Sequence, residues 1–96
     1  MYTFINRFTV TGDVAEFETL VGEISEFMSG RPGFRSHRLY RCATDASVYV
    51  ETAEWDDAAS HRAATGSPEF RARVGKVMSL AKAEPAPFDL LAQHGA

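Results

Sequence analysis

An amide in the middle of an apolar strand face is the first feature of this chain that could do chemistry. The segment Tyr2–Val10 is rich in β-branched and aromatic residues, which predicts a strand. Side chains alternate between the faces of a strand, and the residues that share a face with Asn6 are all apolar or aromatic. Because an unpaired buried amide costs roughly 1–3 kcal/mol, Asn6 is expected either to make a structural hydrogen bond or to face a ligand pocket.

A second group of candidate residues lies on the segment 47–55, another predicted strand. Alternation puts Tyr49, Glu51 and Trp55 on one face of it. A carboxylate is costly to bury unless it is paired or faces a wet cavity, and Arg38 on the neighbouring strand is the expected partner. Glu51 is therefore expected either in a structural ion pair with Arg38 or in a polar wall that binds substrate hydroxyls. The indole N–H of Trp55 usually needs an acceptor when buried and could donate to a ligand oxygen.

His61 is a candidate proton acceptor. It lies on a short predicted helix four residues after Asp57, a spacing that also allows a pair on the helix surface. An imidazole titrates near neutral pH and suits proton abstraction there. Arg71 and Arg73 follow a turn at 67–70, and although such arginines are mostly solvated, one of them could close a pocket over an anionic substrate.

Periodicity and end signals predict the elements that position these residues. Asp13, with Glu16 three residues later, forms a capping box that begins a helix with one apolar stripe. Gly30 is expected in a left-handed conformation at the end of that helix. Ser67 and Pro68 begin a later helix. The predicted elements are a strand over 2–10, a helix over 13–29, strands over 34–41 and 47–55, a short helix through 64, a helix from 67 and a last strand over 88–91.

The order β-α-β-β-α-β predicts an α+β fold of the ferredoxin-like type. Right-handed crossovers give a four-stranded antiparallel sheet with the helices on one face. Strict alternation along 34–41 places Arg38 and Tyr40 on the helix side, and His37 and Leu39 on the open side. Two open faces packed together would bury Leu39 and Ile5, so a homodimer is expected.

Length and charge narrow the class of protein. A chain of 96 residues forms one domain with a small core. The net charge of −3 and the scattered arginines argue against nucleic acid as a partner. No apolar run reaches the ~20 residues of a membrane span, and no signal peptide is expected, because a charged segment followed by an apolar stretch is lacking. The single Cys42 cannot form an internal disulfide and predicts a cytoplasmic protein, while the histidines show no metal-ligand spacing.

Several segments of the chain resemble the antibiotic biosynthesis monooxygenase (ABM) family of dimeric α+β barrels. Their order and spacing along nearly the whole chain carry the resemblance. The segments are the opening INRFTVTGD, RPGF at 31–34, VYVETAEW at 48–55 with the DDAASHR that follows, and SPEF at 67–70. The resemblance implies a single ABM-like domain over 1–96, active as a homodimer.

Two branches of the family bear on the site. The haem-degrading branch carries an Asn on the first strand, like Asn6, together with a Trp and a haem-ligating His. Their positions are occupied here by Ala64 and Val74, so the resemblance does not imply haem. The other branch resembles small cofactor-independent monooxygenases of aromatic polyketides, in which a Trp that matches Trp55 lines the substrate pocket.

Three further positions of that second branch keep their polar character here but not their identity. An Asn four residues before the Trp corresponds to Glu51, and a Tyr six residues after it corresponds to His61. A His on the second strand corresponds to Tyr40.

The leading hypothesis is therefore a monooxygenase that needs no metal or flavin and uses O2 to oxidise an anthrone or hydroquinone to a quinone. His61, or else Glu51, would remove a proton, and Asn6 and Trp55 would donate hydrogen bonds to the developing oxyanion or peroxide. The expected substrate-binding residues are Arg38, Tyr40, Tyr49, Glu51 and Arg73. Two alternatives remain open, a polyketide cyclase or isomerase on the same fold and a non-catalytic binding module.

Overall fold

The computed structural model describes residues 1–95, in which the chain forms seven elements of secondary structure. The predicted domain of 1–96 includes Ala96, which lies outside the described residues. The elements are strand β1 (Tyr2–Val10), helix α1 (Val14–Ser29), strands β2 (Phe34–Arg41) and β3 (Val48–Trp55), helices α2 (Ala58–Thr65) and α3 (Pro68–Leu80), and strand β4 (Ala81–Phe88).

The four strands form one antiparallel sheet in the order β2-β3-β1-β4. Helix α1 packs on β2 and α3, and α2 packs on β3 and α3. Helix α1 begins as predicted, because the Asp13 carboxylate accepts the backbone N–H of Glu16 at 2.8 Å. The ferredoxin-like α+β fold is confirmed, with its second helical segment divided into α2 and α3 at Gly66.

A β-bulge near the start of β2 departs from strict alternation. Phe34 pairs with Trp55 on β3, but the next paired residue is Ser36, which lies opposite Glu54. Arg35 is therefore an extra residue between two consecutive pairs. A bulge of this kind moves every later side chain of its strand to the other face of the sheet.

The bulge overturns the predicted faces of β2. His37 and Leu39 lie on the helix side, whereas Arg38 and Tyr40 lie on the open side of the sheet. Leu39 packs against the core and does not contribute to an open apolar face. The predicted ion pair between Arg38 and Glu51 is wrong, because the two side chains lie on opposite faces.

The last strand also lies elsewhere than predicted. It occupies Ala81–Phe88, ahead of the predicted 88–91, and it follows directly on the end of α3 at Leu80. Pro85 and Pro87 lie inside the strand, opposite residues of β1. Strand β4 is an edge of the sheet, where a proline is tolerated because its missing N–H would point away from the neighbouring strand.

The interior between sheet and helices contains two apolar clusters. One is centred on Phe17 and the other on Trp55, and both side chains are almost fully buried. Asn6 and Glu51 face each other across β1 and β3, between the residues that belong to the two clusters. The sheet therefore presents polar groups to the interior at the boundary between the clusters.

Gly33 fixes the start of β2 against α2. Its φ of 85° is one that residues with side chains rarely adopt, and a Cβ there would lie 2.4 Å from Ser60 Oγ. Gly30, predicted to be left-handed, has a φ of −90°. The left-handed residue therefore lies three positions later than predicted, at Gly33, where Ser60 of α2 approaches the backbone of the loop before β2.

Substitution of Gly33 by Ala is expected to lower the free energy of unfolding by about 1–3 kcal/mol, because it adds both backbone strain and a clash. Gly22→Ala is the matched control, since an added Cβ on that residue of α1 has no neighbour within 4 Å. The control is expected to stabilise the protein by roughly 0.5–1 kcal/mol. Urea denaturation measures both, and equal effects would contradict the assigned role of Gly33.

Candidate functional site

A cavity lies between the sheet and the helices, around the boundary of the two apolar clusters. Its interior volume is about 110 Å³, and the empty space reaches about 700 Å³ when its opening to solvent is included. Most of the lining side chains are aliphatic or aromatic. The polar lining residues within 1–95 are Asn6, Ser25, His37, Glu51, His61 and Thr65. An apolar wall with a few polar groups is typical of a small-molecule site.

Four of these residues form a continuous hydrogen-bonded row, called here the polar layer: Asn6 on β1, Ser25 on α1, His37 on β2 and Glu51 on β3. Glu51 Oε2 lies 3.0 Å from His37 Nε2, and His37 Nδ1 lies 3.0 Å from Ser25 Oγ. At the other end Asn6 Nδ2 donates to Glu51 Oε1 at 3.5 Å. The side chains of His37 and Glu51 are only 16% exposed, so their pairing offsets the cost of burying the carboxylate.

Asn6 makes a hydrogen bond within the sheet and also lines the cavity. The residue is 7% exposed, and its Oδ1 accepts the backbone N–H of Glu84 on β4 at 3.1 Å. Its amino group has two hydrogens, and the long contact with Glu51 uses one of them. The amide oxygen therefore has a structural partner, while the amino group still has a hydrogen to donate.

Trp55 carries the unpaired donor of the site. The residue is 1% exposed, and its ring makes edge contacts with Phe34 and His61. Its indole Nε1 has no hydrogen-bond partner among the described residues. Leaving such a buried N–H unpaired costs about 1–3 kcal/mol. Because Trp55 is among the residues that line the cavity, an acceptor on a bound ligand that reached Nε1 would remove this cost.

His61 turns into the cavity and does not form the surface pair with Asp57 that its spacing also allowed. The Asp57 side chain caps α2, and the imidazole centroid lies 4.7 Å from that of Phe4. Burial lowers the pKa of His61 below its ordinary value, while the charge of Glu51 acts weakly in the opposite direction. The ring is therefore neutral at neutral pH.

The structure does not bring four of the predicted substrate-binding residues to the cavity. Tyr49 is buried in the cluster around Phe17, where its hydroxyl donates to a carboxylate of α1. Arg38 and Tyr40 lie on the open face because of the bulge in β2. Arg73 packs over an aromatic ring of α1 and donates to a backbone carbonyl one turn earlier. Of the expected set, only Glu51 is among the lining residues described within 1–95.

His37 is the cavity residue that sequence reasoning placed on the wrong face. The signal that could have found it is the spacing of two apolar neighbours on β2. Phe34 and Leu39 are an odd number of residues apart, so strict alternation would expose one of them. A bulge between them turns both toward the core, where they are partly buried, and carries His37 to the same side.

The described residues contain no cluster of side chains suited to a metal ion. In that part of the chain no three His, Cys, Asp or Glu side chains lie close enough together to hold a metal ion. Nor is any helix there long and apolar enough to cross a membrane. The absence of a metal and the cytoplasmic location stay predictions.

Known proteins resemble the chain in sequence as well as in fold. The family model described as antibiotic biosynthesis monooxygenase matches residues 1–76. The chain belongs to the antibiotic biosynthesis monooxygenase family. It is 36% identical over 86 residues to deoxynogalonate monooxygenase of Streptomyces nogalater, in an alignment covering 90% of this chain and 73% of that protein.

Solved structures of ABM proteins superpose closely on this chain. The crystal structure of SnoaB, described as a cofactor-independent oxygenase from Streptomyces nogalater, matches with a TM-score of 0.93 and 34% identity over 96% of this chain and 94% of SnoaB. A family structure from Deinococcus radiodurans has a TM-score of 0.86 at 10% identity, covering 100% of this chain and 98% of that one, and shows the fold alone. The predicted family and the predicted enzyme class, a monooxygenase, are confirmed.

Replacement of His61 by Gln is expected to reduce the pH dependence of stability. Burial lowers the pKa of His61 in the folded state, so the unfolded chain binds this proton more tightly. The wild-type protein therefore loses stability as pH falls below about 6.5, and the variant lacks this contribution. Urea denaturation at several pH values should show that, as pH falls, the free energy of unfolding decreases more for wild type than for the variant. A difference independent of pH would contradict the assigned burial of His61.

Proposed function

We propose that this protein is a cofactor-independent monooxygenase that oxidises an electron-rich aromatic polyketide, an anthrone or a hydroquinone, to a quinone in the biosynthesis of an antibiotic or another secondary metabolite. The observation that carries the proposal is a largely apolar cavity lined by Asn6 and by Trp55, whose buried indole N–H has no partner among the described residues. The similarity to SnoaB, described as a cofactor-independent oxygenase, supports the same conclusion.

The reaction needs only O2 beside the substrate. A base on the cavity wall, His61 or Glu51 in the sequence-based hypothesis, removes a proton and leaves a stabilised anion on the aromatic ring. The anion gives one electron to O2, and the two radicals combine into a peroxide with a new C–O bond. In an anthrone the reacting carbon carries two hydrogens: the base returns the first as a proton to the peroxide, and loss of water with the second leaves a carbonyl. One oxygen atom of O2 therefore enters the product and the other leaves as water. A hydroquinone already carries both oxygen atoms, so its oxidation to a quinone passes two electrons and two protons to O2, gives hydrogen peroxide and incorporates no oxygen atom.

The protein supplies position and polarity for these steps. The aromatic side chains of the wall, among them Phe4, Phe34 and Phe70, suit the flat faces of a fused ring system. Trp55 and Asn6 donate hydrogen bonds to oxygen atoms that gain negative charge along the reaction. The apolar surroundings exclude water from the reactive anion.

The presence of a cavity favours this proposal over a non-catalytic binding module with a closed interior. In such a module Asn6 and Glu51 would be fully satisfied and the space between sheet and helices would be closed. The two side chains do have protein partners, but the cavity is present and the Trp55 donor is unpaired among the described residues.

Oxygen consumption tests the proposed activity. Purified protein is mixed with dithranol, a dihydroxyanthrone, and O2 uptake is followed above the uncatalysed rate. Labelled O2 is then traced into the quinone by mass spectrometry. Incorporation of one labelled oxygen atom is the expected result. Conversion of polyketide substrates that proceeds equally well without O2 would instead support a cyclase or isomerase.

Trp55→Phe is expected to lower kcat for oxidation by about 10²–10³-fold, the usual effect of removing one donor to a developing oxyanion. The variant keeps an aromatic ring and loses the indole N–H. Tyr49→Phe is the matched control, because it removes a polar atom from another buried ring that lies outside the cavity. The control is expected to lose stability and keep its kcat. Equal activity of Trp55→Phe and wild type would contradict the role of the indole.

We also propose that the protein works as a homodimer paired through the open face of its sheet. That face carries Ile5, Val50 and the half-exposed Phe88, and the described helices all lie on the other face. A small core gains from burying such a surface. Size-exclusion chromatography with light scattering is expected to give a dimer for wild type and a monomer for Val50→Lys. A monomeric wild-type protein would contradict the proposal.

A further inference from the structure

The polar layer contains an uninterrupted row of a carboxylate, an imidazole and a hydroxyl. Glu51, His37 and Ser25 come from β3, β2 and α1, and both joining distances are 3.0 Å. All three side chains line the cavity. Among the described lining residues, His61 is the one other titratable side chain, so few charges compete with the row.

The partners of His37 determine its tautomer. An ionised carboxylate only accepts hydrogen bonds, so the nitrogen beside Glu51 carries the hydrogen and Nε2–H donates to Oε2. The other nitrogen, Nδ1, is then the basic atom and accepts the hydroxyl hydrogen of Ser25. Once the ring is protonated, Nδ1–H donates to Ser25 Oγ, because a hydroxyl both donates and accepts. The row is therefore satisfied in both protonation states of His37.

We propose that His37 is the proton acceptor of this cavity, that Glu51 fixes its tautomer and that the Ser25 hydroxyl meets the substrate. The inference rests on the proposed function and narrows the substrate to an aromatic ring with an ionisable hydroxyl, such as a phenol or the enol form of an anthrone. The substrate O–H bond breaks and its electron pair stays on the substrate oxygen. The proton passes to Ser25 Oγ as the Ser25 hydroxyl proton passes to His37 Nδ1, and the Glu51 carboxylate stabilises the imidazolium.

His61 is less suited to this task, although it was the base expected from the sequence. Its ring packs against Tyr2, Phe4 and Trp55. Burial also lowers its pKa, which weakens it as a proton acceptor. Its position suits contact with the face of a bound aromatic ring.

Ser25 is placed to pass a proton rather than to attack a carbonyl. It lies inside α1, where backbone N–H groups donate to the carbonyls one turn earlier. Backbone donors of α1 are therefore not free to hold an oxyanion next to Ser25 Oγ, as acyl transfer would need. The geometry favours proton transfer through the hydroxyl.

A spectroscopic titration without O2 tests the inference directly. Dithranol is added to the intact protein under anaerobic conditions, and the absorbance of its anion is followed as a function of pH. Wild type is expected to hold the bound probe as the anion at pH values at which free dithranol is neutral. This readout depends on proton transfer alone, since no oxidation occurs.

Two variants break the row at different places. His37→Gln keeps a donor for Glu51 and removes the basic nitrogen, so the ratio of anionic to neutral bound probe is expected to fall at least tenfold. Glu51→Gln can donate to Nε2 and so favours the wrong tautomer of His37, with a similar loss. In air both variants are expected to lose about 10²–10⁴-fold in kcat. Glu54→Gln is the matched control on the other face of β3, where Glu54 accepts from Ser36, and it is expected to behave as wild type.

His61→Gln separates the two histidines. It is expected to weaken binding of dithranol while the bound probe remains anionic as in wild type. A bound probe that is anionic in His37→Gln and neutral in His61→Gln would overturn the inference, as would a wild-type protein that does not generate the anion. Anion formation without O2 uptake would instead leave the inference standing and reject the proposed oxygenation.

Discussion

The cost of burying one carboxylate organises the interior of this protein. Glu51 points between two apolar clusters, where an unpaired charge would be far more costly than the whole domain can tolerate. It is held by His37 and Asn6, and those residues are in turn bonded to Ser25 and to the backbone of β4. Three strands and the longest helix meet in this row. The hydrogen bonds around Glu51 therefore link β1, β2, β3 and α1 to one another.

The row lies where the two apolar clusters meet, and both clusters contribute to the cavity. Phe8, Val21 and Val77 of the cluster around Phe17 line the open space together with Trp55 of the other cluster. Tyr49 and Glu51 are neighbours on one face of β3, yet Tyr49 is buried in the Phe17 cluster and Glu51 faces the cavity. Some core residues therefore also shape the cavity, and substitutions there are expected to change stability and ligand binding together.

Much of the fold follows from the sequence because its signals are local. The apolar stripe of α1, its Asp13 cap and the β-branched content of β1 each act through neighbours in the chain. The last strand was predicted too late in the chain because Pro85 and Pro87 usually end elements, and their tolerance depends on β4 lying at the edge of the sheet. That position is a property of the assembled sheet, and the local sequence does not contain it.

Among the strand residues predicted for the site, the correct face was assigned only where alternation held. Asn6, Glu51 and Trp55 lie on strands without a bulge in their described pairing, and all three reach the cavity. Arg38 and Tyr40 follow the extra residue of β2 and lie on the opposite face. The position of the strand in the sequence was predicted correctly, and the error lies in which face of the sheet its side chains occupy. The hydrogen bonds of His37 became visible only when the sheet and α1 were brought together.

The bulge at Arg35 makes the chemistry of the cavity depend on a count of residues. If the same residues paired without the bulge, strict alternation from Phe34 would turn Ser36 and Arg38 to the cavity side in place of His37 and Leu39. The guanidinium of Arg38 is always charged, so the imidazole would be replaced by a group that cannot accept a proton. Phe34 precedes the bulge and would keep its place in the aromatic wall. Deletion of Arg35 would instead leave Phe34 and His37 on one face without any bulge. In a comparison of related sequences, a gap at Arg35 therefore preserves the imidazole, whereas loss of the bulge at unchanged length removes it.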